Sequence, residues 1–153
     1  MAKILNDHDL RAALETLSAD RQRVLGAQFA KGVIAYNRDE RVARAIETGL
    51  NLTATPAEVE DAFRAAKSYA TKTYTDCGKD TNWLAQADHF VAAAATAALT
   101  PDAFQTDRQN RAWKAAVQAR MAVNCAQMEE IEGEEGSEAE RQYSAAEAFL
   151  ATA

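Results

Sequence analysis

The sequence predicts an all-α fold, a compact bundle of six or seven helices. Three observations carry that prediction. Ala supplies 36 of the 153 residues, and Ala is the best intrinsic helix former. Gly and Pro, which interrupt helices, number only 6 and 2. Apolar residues recur at helical spacing along most of the chain, and no run alternates long enough to suggest a strand. Leu, Ile, Val and Phe together number 26, a share low enough to raise the question of disorder. A hydrophobic content of 48% answers it. The expected core is thin and Ala-rich, with Phe29, Phe63, Phe90 and Trp113 filling the space that Ala leaves.

The elements follow in order. A first helix over Asp7–Leu17 places Leu10, Ala13, Leu14 and Leu17 on one face. Ser18 caps a second helix that runs to about Asn37. Gly26 and Gly32 each cost that helix about 1 kcal/mol against Ala, which predicts close approach of a neighbouring backbone at both. Asn37-Arg38-Asp39-Glu40 reads as a capping box opening a third helix. Val42, Ala45, Ile46, Gly49 and Leu50 make its apolar stripe, and Asn51 ends it. Thr55-Pro56-Ala57-Glu58 is the clearest helix start: Thr55 caps, Pro56 pre-sets φ and Glu58 bonds back. The fourth helix then buries Val59, Ala62, Phe63, Ala66, Tyr69, Ala70 and Tyr74.

Asp76–Asp80 reads as a loop, and a fifth helix covers Thr81–Leu99 with Leu84, Ala87, Val91, Ala94, Ala95 and Ala98 inward. Thr100-Pro101 marks a new start, and Gln105–Arg111, with no apolar residue, marks either a break or a fully exposed turn. Trp113, Val117, Met121, Cys125 and Met128 are the expected core stripe of the sixth helix. Gly133–Gly136 reads as a hinge, and Ser137-Glu138-Ala139-Glu140 as a capping box for a last helix with Tyr143, Ala146 and Leu150.

The length suits one domain. Residues 1–132 form the expected bundle, and 133–153 the acidic hinge and C-terminal helix of that domain. A chain of this size buries roughly 68–70% of its unfolded surface and folds without disulfide or metal. Cys77 and Cys125 match no zinc or redox spacing, and read as reduced thiols of a cytoplasmic protein. Met1–Leu10 is too polar for a signal peptide, and Val91–Leu99 is too short to span a bilayer.

The formal charge of −6 is unevenly placed: residues 1–128 carry +1 and residues 129–153 carry −7. Glu129, Glu130, Glu132, Glu134, Glu135, Glu138 and Glu140 make the acidic run. Its plain reading is a solvated hinge; its functional reading is a contact for a basic protein surface, with carboxylates speeding association. Two basic stripes recur at spacing three: Arg38, Arg41 and Arg44, then Arg108, Arg111 and Lys114, with Arg64 and Lys67 as a further pair. They read as solvated faces with local acidic partners, or as anion or RNA contacts. A body of net +1 argues against strong general nucleic-acid affinity.

Catalytic signals are sparse. His89 follows Asp88, but neighbours on a helix point about 100° apart and cannot act as base and orienter. The face of His89 carries Asn82, Gln86 and Thr96 and reads as exposed. Cys77 lacks an identifiable base and oxyanion hole. Cys125 reads as core. There is no phosphate loop, His-Glu-x-x-His or calcium loop, so no cofactor and no metal are expected. Trp83, near a helix start, reads as a partner anchor.

Three segments carry a family resemblance: Asp39-Glu40-Arg41-Val42-Ala43-Arg44-Ala45-Ile46-Glu47, Ala62-Phe63-Arg64-Ala65-Ala66-Lys67, and His89-Phe90-Val91 followed by Ala92–Ala95. They resemble bacterial all-helical immunity proteins associated with polymorphic toxins, a family with short Asp-x-Arg-x-x-x-Ala-Ile-Glu and His-with-Ala segments. Further histidines of that family have no counterpart here, and the Glu129–Glu140 run is extra. The resemblance implies a non-catalytic protein that sequesters a toxin. The expectation is therefore a protein-binding module, immunity-like or inhibitor-like, with no membrane contact and no enzymatic activity. The alternative is a small structural subunit of a larger, RNA-containing assembly, the one setting in which nucleic acid would be a partner.

Overall fold

The computed structural model describes residues 3–76, 82–105, 109–129 and 137–152. Among them are seven α-helices and no strand, as the composition predicts. The helices are α1 (Asp7–Glu15), α2 (Ala19–Lys31), α3 (Glu40–Leu50), α4 (Pro56–Asp76), α5 (Trp83–Leu99), α6 (Arg111–Glu129) and α7 (Glu138–Ala151). Two single-turn 3₁₀ segments, Ile34–Tyr36 and Asp102–Phe104, sit between them. The second helix thus stops at Lys31 rather than near Asn37. The Gly133–Gly136 hinge lies outside the described residues.

Local chemistry sets most of the starts. Ser18 accepts from Arg21 N, as expected. Thr55 and Glu58 make the full capping box: Thr55 N donates to Glu58 Oε1 at 3.0 Å, and Glu58 N to Thr55 Oγ1 at 3.1 Å. The box at Asn37 is not formed. Asp39 caps α3 by accepting from Arg41 N, while Asn37 Nδ2 donates 2.8 Å to Asp88. Ser137 precedes α7 without a side-chain cap bond, which overturns the second expected box. Asn110 supplies an unexpected cap, its Oδ1 accepting from Ala112 N and Trp113 N.

α2, α5 and α6 form the centre of the bundle, and α5 and α6 share its largest interface. One apolar cluster joins α3 and α4 to this centre through Val42, Ile46, Phe63, Ala66, Val91 and Leu99. A second joins α1 and α7 to its other side through Leu10, Leu14, Leu25, Phe29, Ala116 and Phe149. Small residues let the central helices approach. A Cβ on Gly26 would stand 3.0 Å from Ala98 Cβ and 3.3 Å from Ala115 Cβ, so α2 meets α5 and α6 there as predicted. Gly32 differs. It ends α2, and a Cβ there would meet only carbonyls of its own helix within 3.9 Å, so no other backbone requires a glycine.

The expected inner face of α6 is reversed. Ala112, Ala115, Ala116, Ala119, Ala122 and Ala126 are buried, whereas Met121 and Met128 are exposed and Trp113 and Val117 half-buried. Only Cys125 of the predicted stripe is buried. The centre has room for methyl groups, not for long side chains, so the Ala face goes inward. Leu84 and Tyr74 are likewise exposed, against expectation, each near the end of its helix.

Four arginines tie helices together by donating to the C-terminal carbonyls of a different helix or of the residues just beyond it. Arg21 reaches Phe149 O of α7, Arg23 reaches Gly49 O and Asn51 O at the end of α3, Arg111 reaches Thr100 O after α5, and Arg141 reaches Gly32 O after α2. A cation there complements the negative end of the helix dipole. Arg111, expected on an exposed stripe, is buried for this reason and also pairs with Asp102.

Candidate protein-interaction surface

A polar cluster is buried around Asp88 and His89 of α5. Asp88 of α5 accepts from Asn37 Nδ2 at 2.8 Å, Arg38 N at 3.0 Å and Tyr69 Oη at 2.5 Å. Burial, followed by the bond to Asp88, pushes the Tyr69 hydroxyl up, so it stays protonated. His89 is also buried, which corrects the expectation of a surface histidine. Its Nδ1 lies 2.8 Å from Thr73 Oγ1, and that hydroxyl also donates to Tyr69 O. Asp88 and His89 do not bond each other, as their adjacency predicts; both tie α5 to α4, through Tyr69 and Thr73, and Asp88 also holds the Asn37–Arg38 segment.

The described members of the sequence-predicted contact set lie on different elements: Arg38 before α3, Arg41 and Arg44 on it, Trp83 on α5, Glu129 on α6, and Glu138 and Glu140 on α7. Glu130, Glu132, Glu134 and Glu135 lie outside the described residues, as do Cys77 and Arg108. Glu129 closes α6. Glu138, expected in the solvated acidic run, is buried and lies 3.3 Å from Arg141; burial raises its carboxyl. Glu140 is exposed on α7. Arg38, Arg41 and Arg44 are exposed beside α3. Arg41 is held by Asp39, whose carboxyl that guanidinium pulls down to about 2, and Arg44 pairs with Glu40. Trp83 is half-buried and packs against Ala87, Cys125 and Ala126.

The structure instead assembles a groove that the sequence did not single out. It measures about 720 Å³ and runs between α4 and the Asp102–Phe104 turn. Its floor is the Phe63–Phe104 pair, stacked with ring centroids 5.7 Å apart and planes 17° apart. Arg64 lies 5.6 Å from the Phe104 ring and Lys67 lies 5.5 Å from the Phe63 ring. Ser68, Thr71 and Gln105 complete the lining. Phe63 was legible as core and is buried; Phe104 is 41% exposed. The available signal was Phe104 itself, the last apolar side chain before the polar stretch Gln105–Arg111.

A second groove, between α3 and α4, has a different electrostatic character. Arg41 and Arg44 line it together with Glu58 and Asp61, so its charges are matched internally. Among the described residues no group of His, Cys, Asp and Glu is arranged to hold a metal ion, and no helix is long and apolar enough to cross a membrane. No protein-family model, curated protein or solved structure matches this chain. The likeness to immunity proteins therefore rests on the three segments quoted above.

Proposed function

We propose that the chain works by binding another protein, as an inhibitor-like or immunity-like module without chemistry of its own, and that the α4 groove is its contact. The observation that carries this reading is the groove's make-up. An aromatic floor, part of it exposed, lies under two exposed cations on one helix turn. Anchors of this kind carry much of the energy of protein contacts: Phe63 and Phe104 offer apolar area to bury, and Arg64 offers directed, charge-assisted bonds. The polar residues that could suggest catalysis are engaged in holding helices together. Three donors occupy Asp88, and Thr73 occupies Nδ1 of His89.

A photo-crosslinking amino acid at position 71, inside the groove, tests the reading in cells of the source organism. Position 124, exposed on α6, is the control. The expected outcome is one discrete protein adduct at 71 that is missing at 124. Equal adduct patterns at both positions, or none at 71, would sink the proposal.

A further inference from the structure

We infer that the α4 groove takes a short acidic segment of the partner, with carboxylates on Arg64 and Lys67 and an aliphatic side chain against the Phe63–Phe104 floor. This rests on the protein-binding reading and names the chemistry of the partner.

Charge is the first argument. Among the eight described residues that line it, two are cations and none is a carboxylate. Arg64 is exposed, and Glu60, 3.7 Å away and itself partly exposed, is its ion-pair partner. Among the described residues Lys67 makes no ion pair; its described contact is the ring of Phe63. Both cations therefore remain available to incoming carboxylates, and the hydroxyls of Ser68 and Thr71 can donate as well. The groove between α3 and α4 lacks this property, because Glu58 and Asp61 share its lining with Arg41 and Arg44.

Ring geometry is the second argument, and it separates a peptide from a nucleic acid. Bases bind such sites by stacking on open aromatic faces. Here the rings stack on each other, and a cation lies over each. What Phe104 leaves exposed suits an aliphatic contact. Two cations are also few for a polyanion whose affinity grows with each phosphate neutralised. Size fits a short segment. From Arg64 to Thr71 the helix advances about 10 Å at 1.5 Å per residue, the reach of about three extended residues.

The test uses the full chain and a fluorescent peptide, Gly-Ser-Glu-Leu-Glu-Glu-Ser-Gly, read by anisotropy at low and at physiological salt. Controls are the same peptide with Gln for Glu, the same peptide with Ser for Leu, and an oligothymidine. Saturable binding that weakens with salt is expected, with the Gln and Ser controls both weaker. Arg64→Glu combined with Lys67→Glu should weaken binding at least about tenfold, as loss of charged hydrogen bonds does. Arg41→Glu with Arg44→Glu should leave it unchanged. Both pairs are exposed, so thermal unfolding followed by circular dichroism should be near that of the parent chain. Three results overturn the inference: no binding up to about 1 mM, a Gln peptide that binds as well as the Glu peptide, or an oligothymidine that binds more tightly than either. Adducts at position 71 alongside any of these would preserve the binding module and remove only its acidic partner.

Discussion

His89 shows how a single residue can be misread from its neighbours in sequence. Asn82, Gln86 and Thr96 suggested a wet face, yet α4 covers the ring, Thr73 bonds it and Tyr74 and Phe90 flank it. The tertiary neighbour is invisible in a helical wheel of α5 alone. Burial, the largest influence, holds the imidazole below its ordinary 6.5. The folded chain therefore resists taking a proton that the unfolded chain accepts. The stability that the neutral ring supports is complete above about pH 6.5 and is lost as pH falls from there toward the lower folded value. Urea midpoints should decline between about pH 7.5 and pH 5.5 in the parent chain, and decline less in His89→Gln. Parallel slopes for the two proteins would show that His89 does not titrate in this way.

At the level of elements, starts and small-residue contacts were legible, because both have local chemistry. The Thr55–Glu58 box and the approach at Gly26 follow from residue type and spacing. The orientation of α6 was not legible. Its large apolar residues lie at helical spacing, but so do its alanines, and only the narrowness of the α2–α5–α6 centre decides which set goes inside. The cross-helix arginines were also hidden, since each bond joins residues distant in sequence, as from Arg21 to Phe149 or Arg141 to Gly32. The two glycines of α2 test this account as a pair. Ala adds up to about 1 kcal/mol of helix propensity at Gly26, but its methyl would press on two alanine methyls and the Ala112 backbone, none of which can rotate away. Overpacking of about 1–3 kcal/mol should prevail, so Gly26→Ala is destabilised. Gly32 has φ −61°, which any residue adopts, and its Cβ would find ordinary contact distances. Gly32→Ala should gain about 0.4–1 kcal/mol by restricting the unfolded chain. Chemical denaturation of the two variants checks both signs, and a matching shift in the same direction would contradict the packing argument.

For the whole molecule, the helical class was legible from composition, whereas the candidate site was not, because the groove needs Phe104 and Phe63, 41 positions apart in sequence, to stack. The same long-range logic governs how the chain closes. α1 and α7 lie near opposite ends of the sequence and share one network on the outer side of α6. Arg120 of α6 makes two bonds to Asp7, at 2.8 and 2.9 Å, and its Nε donates to Gln142 at 2.8 Å. Tyr143 donates to Asp7 at 2.7 Å, and the buried Gln142 donates to Ala116 O at 2.9 Å. One guanidinium thus holds both terminal helices, while α3 and α4 belong to the other cluster. Arg120→Met keeps a long apolar stem over Trp113 but removes these donors and leaves Gln142 Oε1 buried without its partner. The expected loss is about 2–3 kcal/mol, and it should be regional. Amide hydrogen exchange should accelerate in α1 and α7 together, because each loses the same anchor, while α4 and the α5 core keep the parent rates under native conditions. Acceleration spread evenly over α1, α4, α5 and α7 would mean that the bundle opens as one cooperative unit. Acceleration in α7 alone would mean that Asp7 and α1 are held by Tyr143 and the Leu10–Leu14 packing without Arg120.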